Sequence, residues 1–192
     1  MTPTITFPAL TVDDLPRLRE WLNTPHVYEW WGVSSGPGSL GGLGADTATD
    51  SQDYEKYAPG LDPGAAGTRR HIITVDGTAV GLIQWYALAD EPEYATVIGE
   101  TAPGGAGIDL FIGEPTRVNR GLGSEVLDAF VREVVFADPA ITHAVGAPHP
   151  DNARSCRAFE KAGFVQVRDA VVPDSGPERV HVRARVAEPP AE

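Results

Sequence analysis

Apolar positions along the chain change period several times, and each change marks an element. Leu15, Leu18 and Leu22 recur at helical spacing behind Thr11 and Asp14, which form a capping signal, so a helix is predicted to about Asn23. Thr24-Pro25 stops it, because the residue before proline avoids helical torsions. A short strand precedes this helix at residues 4–7, and residues 26–31 form a second short helical piece. Residues 32–44 are rich in Gly, Ser and Pro and predict a loop; residues 46–57 are polar and predict a surface helix. Residues 68–75 and 78–88 are rich in β-branched and aromatic side chains, and Asp76-Gly77 between them is a two-residue hairpin turn. Residues 89–105 read as a long acidic loop.

The second half alternates more regularly. Residues 107–113, Gly-Ile-Asp-Leu-Phe-Ile-Gly, predict a central strand. Leu122, Val126, Leu127, Phe130, Val131, Val134 and Val135 lay a wide apolar stripe along a helix at residues 121–137, which Asp138-Pro139 ends. Residues 142–147 predict another strand. Asn152 is a good N-cap for a helix to about Ala162, with Gly163 as its closing residue. Residues 165–172 and 179–186 predict a final hairpin across residues 173–177. The order ββ–β–α–β–α–ββ implies an α/β (α+β) protein, a mixed sheet with flanking helices. Residues 1–186 are expected to form one domain, with 187–192 as a disordered tail.

Charge alters this picture more than composition does. The 192 residues carry 15 Lys+Arg against 27 Asp+Glu, a formal net charge of −12. That balance disfavours nucleic acid and anionic membrane as partners, and leaves cationic or neutral small molecules. The charge is unevenly spread: residues 20–116 hold fourteen acidic and three basic side chains, whereas residues 117–192 hold ten basic ones. Such a field attracts a polycation to one side and tolerates an anion on the other. The lone Cys156 excludes an intramolecular disulfide, no stretch approaches the apolar length of a spanning helix, and no signal peptide is recognisable, so a cytoplasmic protein is expected. His, Cys and Asp show no metal-ligand spacing, and no metal is expected. A monomer or a homodimer is expected.

Chemistry concentrates in strand, loop and helix at residues 107–124. Glycines at the mouth of an amphipathic helix let backbone N–H groups approach an anion, and the helix dipole favours phosphate there. Arg120-Gly121-Leu122-Gly123-Ser124 has this form but is neither a Walker loop nor a dinucleotide fingerprint. About thirty residues on comes Asn152-Ala153-Arg154-Ser155-Cys156-Arg157-Ala158-Phe159-Glu160-Lys161-Ala162-Gly163-Phe164. Together these two segments resemble the GCN5-related N-acetyltransferases, whose R/Q-x-x-G-x-G/A loop grips the pyrophosphate of coenzyme A. Glu20-Trp21-Leu22-Asn23, Pro25-His26-Val27, Glu29-Trp30-Trp31-Gly32, Gly107-Ile108-Asp109 and Val172-Pro173-Asp174-Ser175-Gly176 resemble the aminoglycoside 6′-N-acetyltransferases within that superfamily. The likeness covers about residues 8–186, with the Gly-rich loop as an insertion.

The resemblance implies a central mixed, mostly antiparallel sheet of six to seven strands flanked by about four helices, and acetyl-CoA as cosubstrate. It implies that Leu110, Phe111, Ile112, Arg120, Gly121, Leu122, Gly123, Ser124, Asn152 and Phe159 bind the cosubstrate. Asp109 then holds the acceptor amine and helps remove its proton. Trp30 and Trp31 would stack on a sugar ring, and Glu100, Asp151 and Asp174 are further carboxylates for a cationic acceptor.

Three departures from the family pattern stand out. Val118 replaces the first Arg/Gln of the loop, as is usual in the aminoglycoside subgroup. Phe159 replaces the Tyr that serves as general acid toward the departing thiolate, leaving Ser155, Cys156 and His149 as alternative donors. Ala147-Pro148-His149-Pro150 stands where the subgroup carries D-P-x-P, so a carboxylate is missing there and Asp151 is its candidate substitute. His26 and His143 are expected to be structural. Two other readings remain open at this stage: acylation of a siderophore-type hydroxylamine, and a non-catalytic binder of acetyl-CoA or antibiotic.

Overall fold

The computed structural model describes residues 3–31, 67–173 and 175–186. The loop and helix expected within residues 32–66, the tail at 187–192 and Asp174 lie outside the described residues. Seven strands form one sheet: β1 (Ile5–Thr6), β2 (Arg69–Val75), β3 (Thr78–Ala87), β4 (Gly105–Ile112), β5 (His143–Gly146), β6 (Val165–Val172) and β7 (Gly176–Ala184), in the order β1-β2-β3-β4-β5-β7-β6. Every neighbouring pair is antiparallel except β4–β5. Five α-helices accompany the sheet among the described residues: α1 (Leu15–Leu22), α2 (Pro25–Trp31), α3 (Pro92–Ile98), α4 (Leu122–Glu133) and α5 (Ala153–Lys161).

Local chemistry explains most of these boundaries. Thr11 donates from its N–H to Asp14 Oδ2 at 2.9 Å, fixing the chain's entry to α1. Asp76 and Gly77 both take positive φ, 50° and 78°, which matches the right-handed twist of β2 and β3 and closes the hairpin in two residues. The Asn152 side chain accepts from Ser155 N–H at 3.1 Å and starts α5.

The expected acidic loop at residues 89–105 is corrected by α3. Pro92 opens this helix, where its missing N–H costs nothing, and Glu93 in the first turn meets the positive end of the dipole. Ala95 and Ile98, one turn apart, are buried, and Gly99 closes the helix at φ 72°. The last hairpin also turns more tightly than expected, since Val172 pairs directly with Gly176.

Two layers cover the sheet. On one face, Val126, Leu127, Phe130 and Val131 of α4 and Phe159 of α5 pack on Ile73, Ile83, Trp85, Ile108 and Ala144. On the other, Leu18, Trp21, Leu22 and Val27 of α1 and α2 pack on Ile72, Leu82 and Phe111. Ala95 and Ile98 of α3 form a separate cluster on that second face with Tyr86, Val145, Val172 and Val180. Between these two apolar clusters the second face carries polar side chains. No helix among the described residues is long and apolar enough to cross a membrane.

Candidate active site

The parallel pair β4–β5 is short. It joins Gly105, Ala106 and Gly107 to His143, Ala144 and Val145, and β5 ends at Gly146 while β4 continues to Ile112. Beyond Gly107 the two strands part, and a slot opens through the sheet. Gly113 N–H bonds Val80 O at 2.8 Å, so odd-numbered residues of β4 turn their backbone groups toward β3. Even-numbered residues turn theirs toward the slot. His26 Nε2 meets the Ile112 carbonyl at 2.9 Å from that side, which agrees with this alternation and with a structural role for His26. Leu110 and Ile112 thus offer backbone N–H groups to whatever enters.

A groove of about 400 Å³ runs from the slot and is lined by Leu110, Phe111 and Ile112, by Gly121 to Ser124, and by Asn152, Ser155 and Ala158. Gly121 is the N-cap of α4 with φ 84°, a conformation that costs any side chain strain, and Asn119 before it has φ 63°. This doubled turn aims the first-turn N–H groups of α4 into the groove. Ser124 N–H bonds the Gly121 carbonyl at 3.1 Å, and the Leu122 and Gly123 N–H groups ahead of it have no acceptor within the helix, so they suit an anion. Arg117, Arg154, Arg157 and Lys161 line the same groove. The last three recur at i, i+3 and i+7 on α5, so they share one helix face. An extended ligand with an acyl or thiol end near β4 and phosphates near α4 fits this lining.

Asp109 stands on the opposite face of β4 from Leu110. It pairs across the sheet with Gln84, which pairs in turn with Arg70. Gln84 Nε2 donates to Asp109 Oδ2 at 3.1 Å. Burial pushes the Asp109 carboxyl up to about 6, against the opposing pull of Gln84 and Arg70. Beside it, Tyr86 packs over Gly107, where a Cβ would lie 2.3 Å from the ring. Tyr86 and Tyr94 approach with ring centroids 6.5 Å apart, and Tyr94 donates to Glu178 Oε2 at 2.9 Å. Burial lifts both tyrosines well above their ordinary range and lifts Glu178 to about 7, with the Asp109 charge adding to each.

The expected site residues therefore divide. Leu110, Phe111, Ile112, Gly121, Leu122, Gly123, Ser124 and Asn152 line the groove, as do Trp30 and Trp31. Trp31 meets Phe111 edge-on at 4.8 Å, and Trp30 tilts against His149 at 5.7 Å. Both indoles thus wall the groove on the α2 side.

Arg120 is exposed and lies outside the lining, because the left-handed turn at Gly121 faces the backbone inward instead. Phe159 is 3% exposed and also outside: its ring stacks on His181 and meets Phe164 edge-on at 5.0 Å, over Gly146. Without a hydroxyl, it is a core residue. Glu100 is paired with Arg168 and lies 3.8 Å from His143, at the closed end of the β4–β5 pair and away from Asp109. Its carboxylate ties α3 to β6 and β5. The side chain of Asp151 is 84% exposed beside His149.

Ser155 lines the groove, while the Cys156 sulfur points to the His149 carbonyl at 3.7 Å and burial pushes its thiol up. Gln84, Tyr86, Tyr94 and Glu178 escaped the sequence reading. Gln84 alone had a signal, as the one amide in an apolar strand.

A family model described as an acetyltransferase (GNAT) domain matches residues 11–172. An aminoglycoside N(6′)-acetyltransferase type 1 of Klebsiella pneumoniae is 33% identical over 183 residues, 95% of this chain and 84% of that protein. Among solved structures, the aminoglycoside acetyltransferase AAC(6′)-Ib in complex with coenzyme A superposes with a TM-score of 0.71 at 28% identity, covering 95% of both chains. The same enzyme in complex with ribostamycin and coenzyme A gives 0.73 at 28% identity, covering 95% of this chain and 94% of that one.

Proposed function

The chain belongs to the GNAT acetyltransferase family, and from that membership we propose that it moves the acetyl group of acetyl-CoA to a primary amine of an aminoglycoside, the 6′-amine first. The observation that carries this reading is the two-sided strand β4. One edge of β4 offers Leu110 and Ile112 N–H groups to the slot, while its acceptor face holds Asp109 against Gln84.

Acetyl-CoA supplies a thioester carbonyl, and the groove residues fit its other parts: first-turn N–H groups of α4 and the basic side chains of α5 for the phosphates. Leu110 or Ile112 N–H polarises the carbonyl oxygen, holding charge that develops there. The acceptor enters as an ammonium, and losing its proton at pH 7 costs roughly 4 kcal/mol. An ionised Asp109 strengthens binding of that ammonium and opposes its deprotonation, so it works as an anchor and proton relay and the amine's proton leaves through it or through water. Held against the slot, the free amine attacks without the entropy cost of an encounter. The departing thiolate, with an ordinary thiol pKa near about 8.5, needs no protein acid, which accommodates Phe159.

The Asp109 carboxylate, held by Gln84 on the acceptor face, favours a cationic amine over a weakly basic hydroxylamine. A thiol-release assay with acetyl-CoA and kanamycin-type or tobramycin-type acceptors tests the reading, with NMR of the product to locate the acetyl group. Acetylation at the 6′-amine is expected. No turnover with any aminoglycoside overturns the acceptor assignment, and the fold and family stand.

A further inference from the structure

Glu178 lies diagonally across from Ala147, where the sequence lost a carboxylate. Arg179 N–H bonds Pro148 O at 2.8 Å, which continues the β5–β7 register and sets Ala147 opposite Val180, with Glu178 the next same-face residue of β7, diagonal to Ala147. Its alternation along β7 puts it on the face of Val180, which packs with Tyr86 and α3, the same face as Asp109. Because β5 ends at Gly146, no strand among the described residues stands between Glu178 and the extended part of β4. Arg179, the next residue, turns to the opposite face and pairs with Asp169 at 3.3 Å, so it does not neutralise Glu178. Among the described residues, the groups facing Glu178 are Tyr94 from α3, with Tyr86 from β3 and Asp109 from β4 behind it.

Tyr94 fixes the Glu178 carboxylate through one oxygen at 2.9 Å. A carboxylate carries about four lone-pair sites, so a single phenol leaves it able to accept more. The arrangement keeps two carboxylates on one face: Gln84 donates to Asp109, with the Arg70 charge also acting on it, and Tyr94 donates to Glu178.

Building on the acetyl-transfer reading, we propose that Glu178 is a specificity-determining residue that binds a second ammonium group of the acceptor, so that the enzyme selects diamines over monoamines. Asp109 takes the reacting amine and Glu178 its neighbour. The chain thereby resupplies from β7 the charge that β5 lacks.

The test uses two sugars that differ by one amine: 6-amino-6-deoxyglucose, and 2,6-diamino-2,6-dideoxyglucose. The native protein is expected to prefer the diamine by about tenfold or more in kcat/KM, the scale of one charged hydrogen bond. Glu178→Gln should abolish that preference and leave the monoamine's kcat/KM and the KM for acetyl-CoA within about twofold. Tyr94→Phe keeps the charge but removes its donor, so the preference should persist and set in at higher pH, because the Tyr94 bond favours the ionised form. Glu178→Asp should restore part of it. A preference that survives Glu178→Gln, or an equal loss toward both sugars in a variant that melts normally, overturns the proposal. If the native protein acetylates no amine, the acetyl-transfer reading fails separately. Calorimetric titration of the diamine then decides: equal affinity for the native protein and Glu178→Gln overturns the role of Glu178.

Discussion

Gln84 holds Asp109: its Nε2 donates to Asp109 Oδ2 at 3.1 Å across the β3–β4 register. The bond opposes the burial that pushes the carboxyl up to about 6. Gln84→Leu removes the donor and keeps the volume, so the Asp109 pKa rises further. Only the ionised carboxylate anchors an ammonium. The acid limb of kcat/KM, with its midpoint near pH 6 in the native enzyme, should therefore move to higher pH. Rates at alkaline pH should stay within a few-fold of native. A pH profile with an unmoved limb removes Gln84 from the tuning of Asp109.

Asp109→Asn should lower kcat/KM at least about tenfold and flatten that acid limb. It should also stabilise the fold, and only above the acid range. Asp109 titrates at about 6 when folded and at 3.8 ordinarily, so the folded state holds its proton more tightly. Stability from this group is full below the unfolded value and is lost as pH rises through the folded one. The loss is at most about 3 kcal/mol. Thermal melts should show Asp109→Asn and the native protein alike near pH 4, with Asn melting higher at pH 8. Equal melting at both would mean the carboxyl is not strained by burial.

Much of the fold was legible because its signals are local. Asp76-Gly77, Asn152 and Thr11 with Asp14 act within three residues, and each sits where the sequence put it. α3 was missed because it is only seven residues long and the acidic Asp90, Glu91 and Glu100 flank it, though Pro92 and Gly99 bracket it with the ordinary start and stop. The groove was legible for the same reason as the fold: glycine torsions and a helix N-terminus belong to contiguous residues. The acceptor face was not. Glu178 meets Tyr94 across 84 positions, and Gln84 meets Asp109 across 25, so only the strand order brings them together. The pairing of Glu100 was not legible either, because matching a position in a motif does not reveal Arg168, which reaches it from β6.

Gly107→Ala should damage the acceptor face without touching a charge. The new Cβ would lie 2.3 Å from Tyr86 Cζ and 2.6 Å from its hydroxyl, closer than any real contact. Tyr86 is 3% exposed, with the Tyr94 ring centroid 6.5 Å away, so the ring is held by its packing. We expect a loss of about 1–3 kcal/mol in stability and a raised acceptor KM. Placed in a Tyr86→Ala background, the same substitution should cost little. A double-mutant cycle by denaturant unfolding measures the difference, and a cost that persists without the ring would place the clash elsewhere.

The basic face of α5 should govern acetyl-CoA and not the acceptor. Arg154, Arg157 and Lys161 line the groove as exposed side chains, so each contributes modestly and salt screens it. Single alanine substitutions should raise the KM for acetyl-CoA by about two- to fivefold, and the triple variant by more than about tenfold. The triple variant should discriminate less against the dephospho form of the cosubstrate, which lacks one of the charges these residues meet. Raising ionic strength to about 0.5 M should weaken the native protein's affinity for acetyl-CoA and narrow the gap to the triple variant, since the Debye length then falls to about 4 Å. The KM for a polycationic acceptor should also rise with salt, but equally in the native protein and the variant, because its charge faces the acidic half of the chain instead. A triple variant with unchanged KM for acetyl-CoA at low salt would show that the backbone N–H groups of α4 hold the phosphates alone.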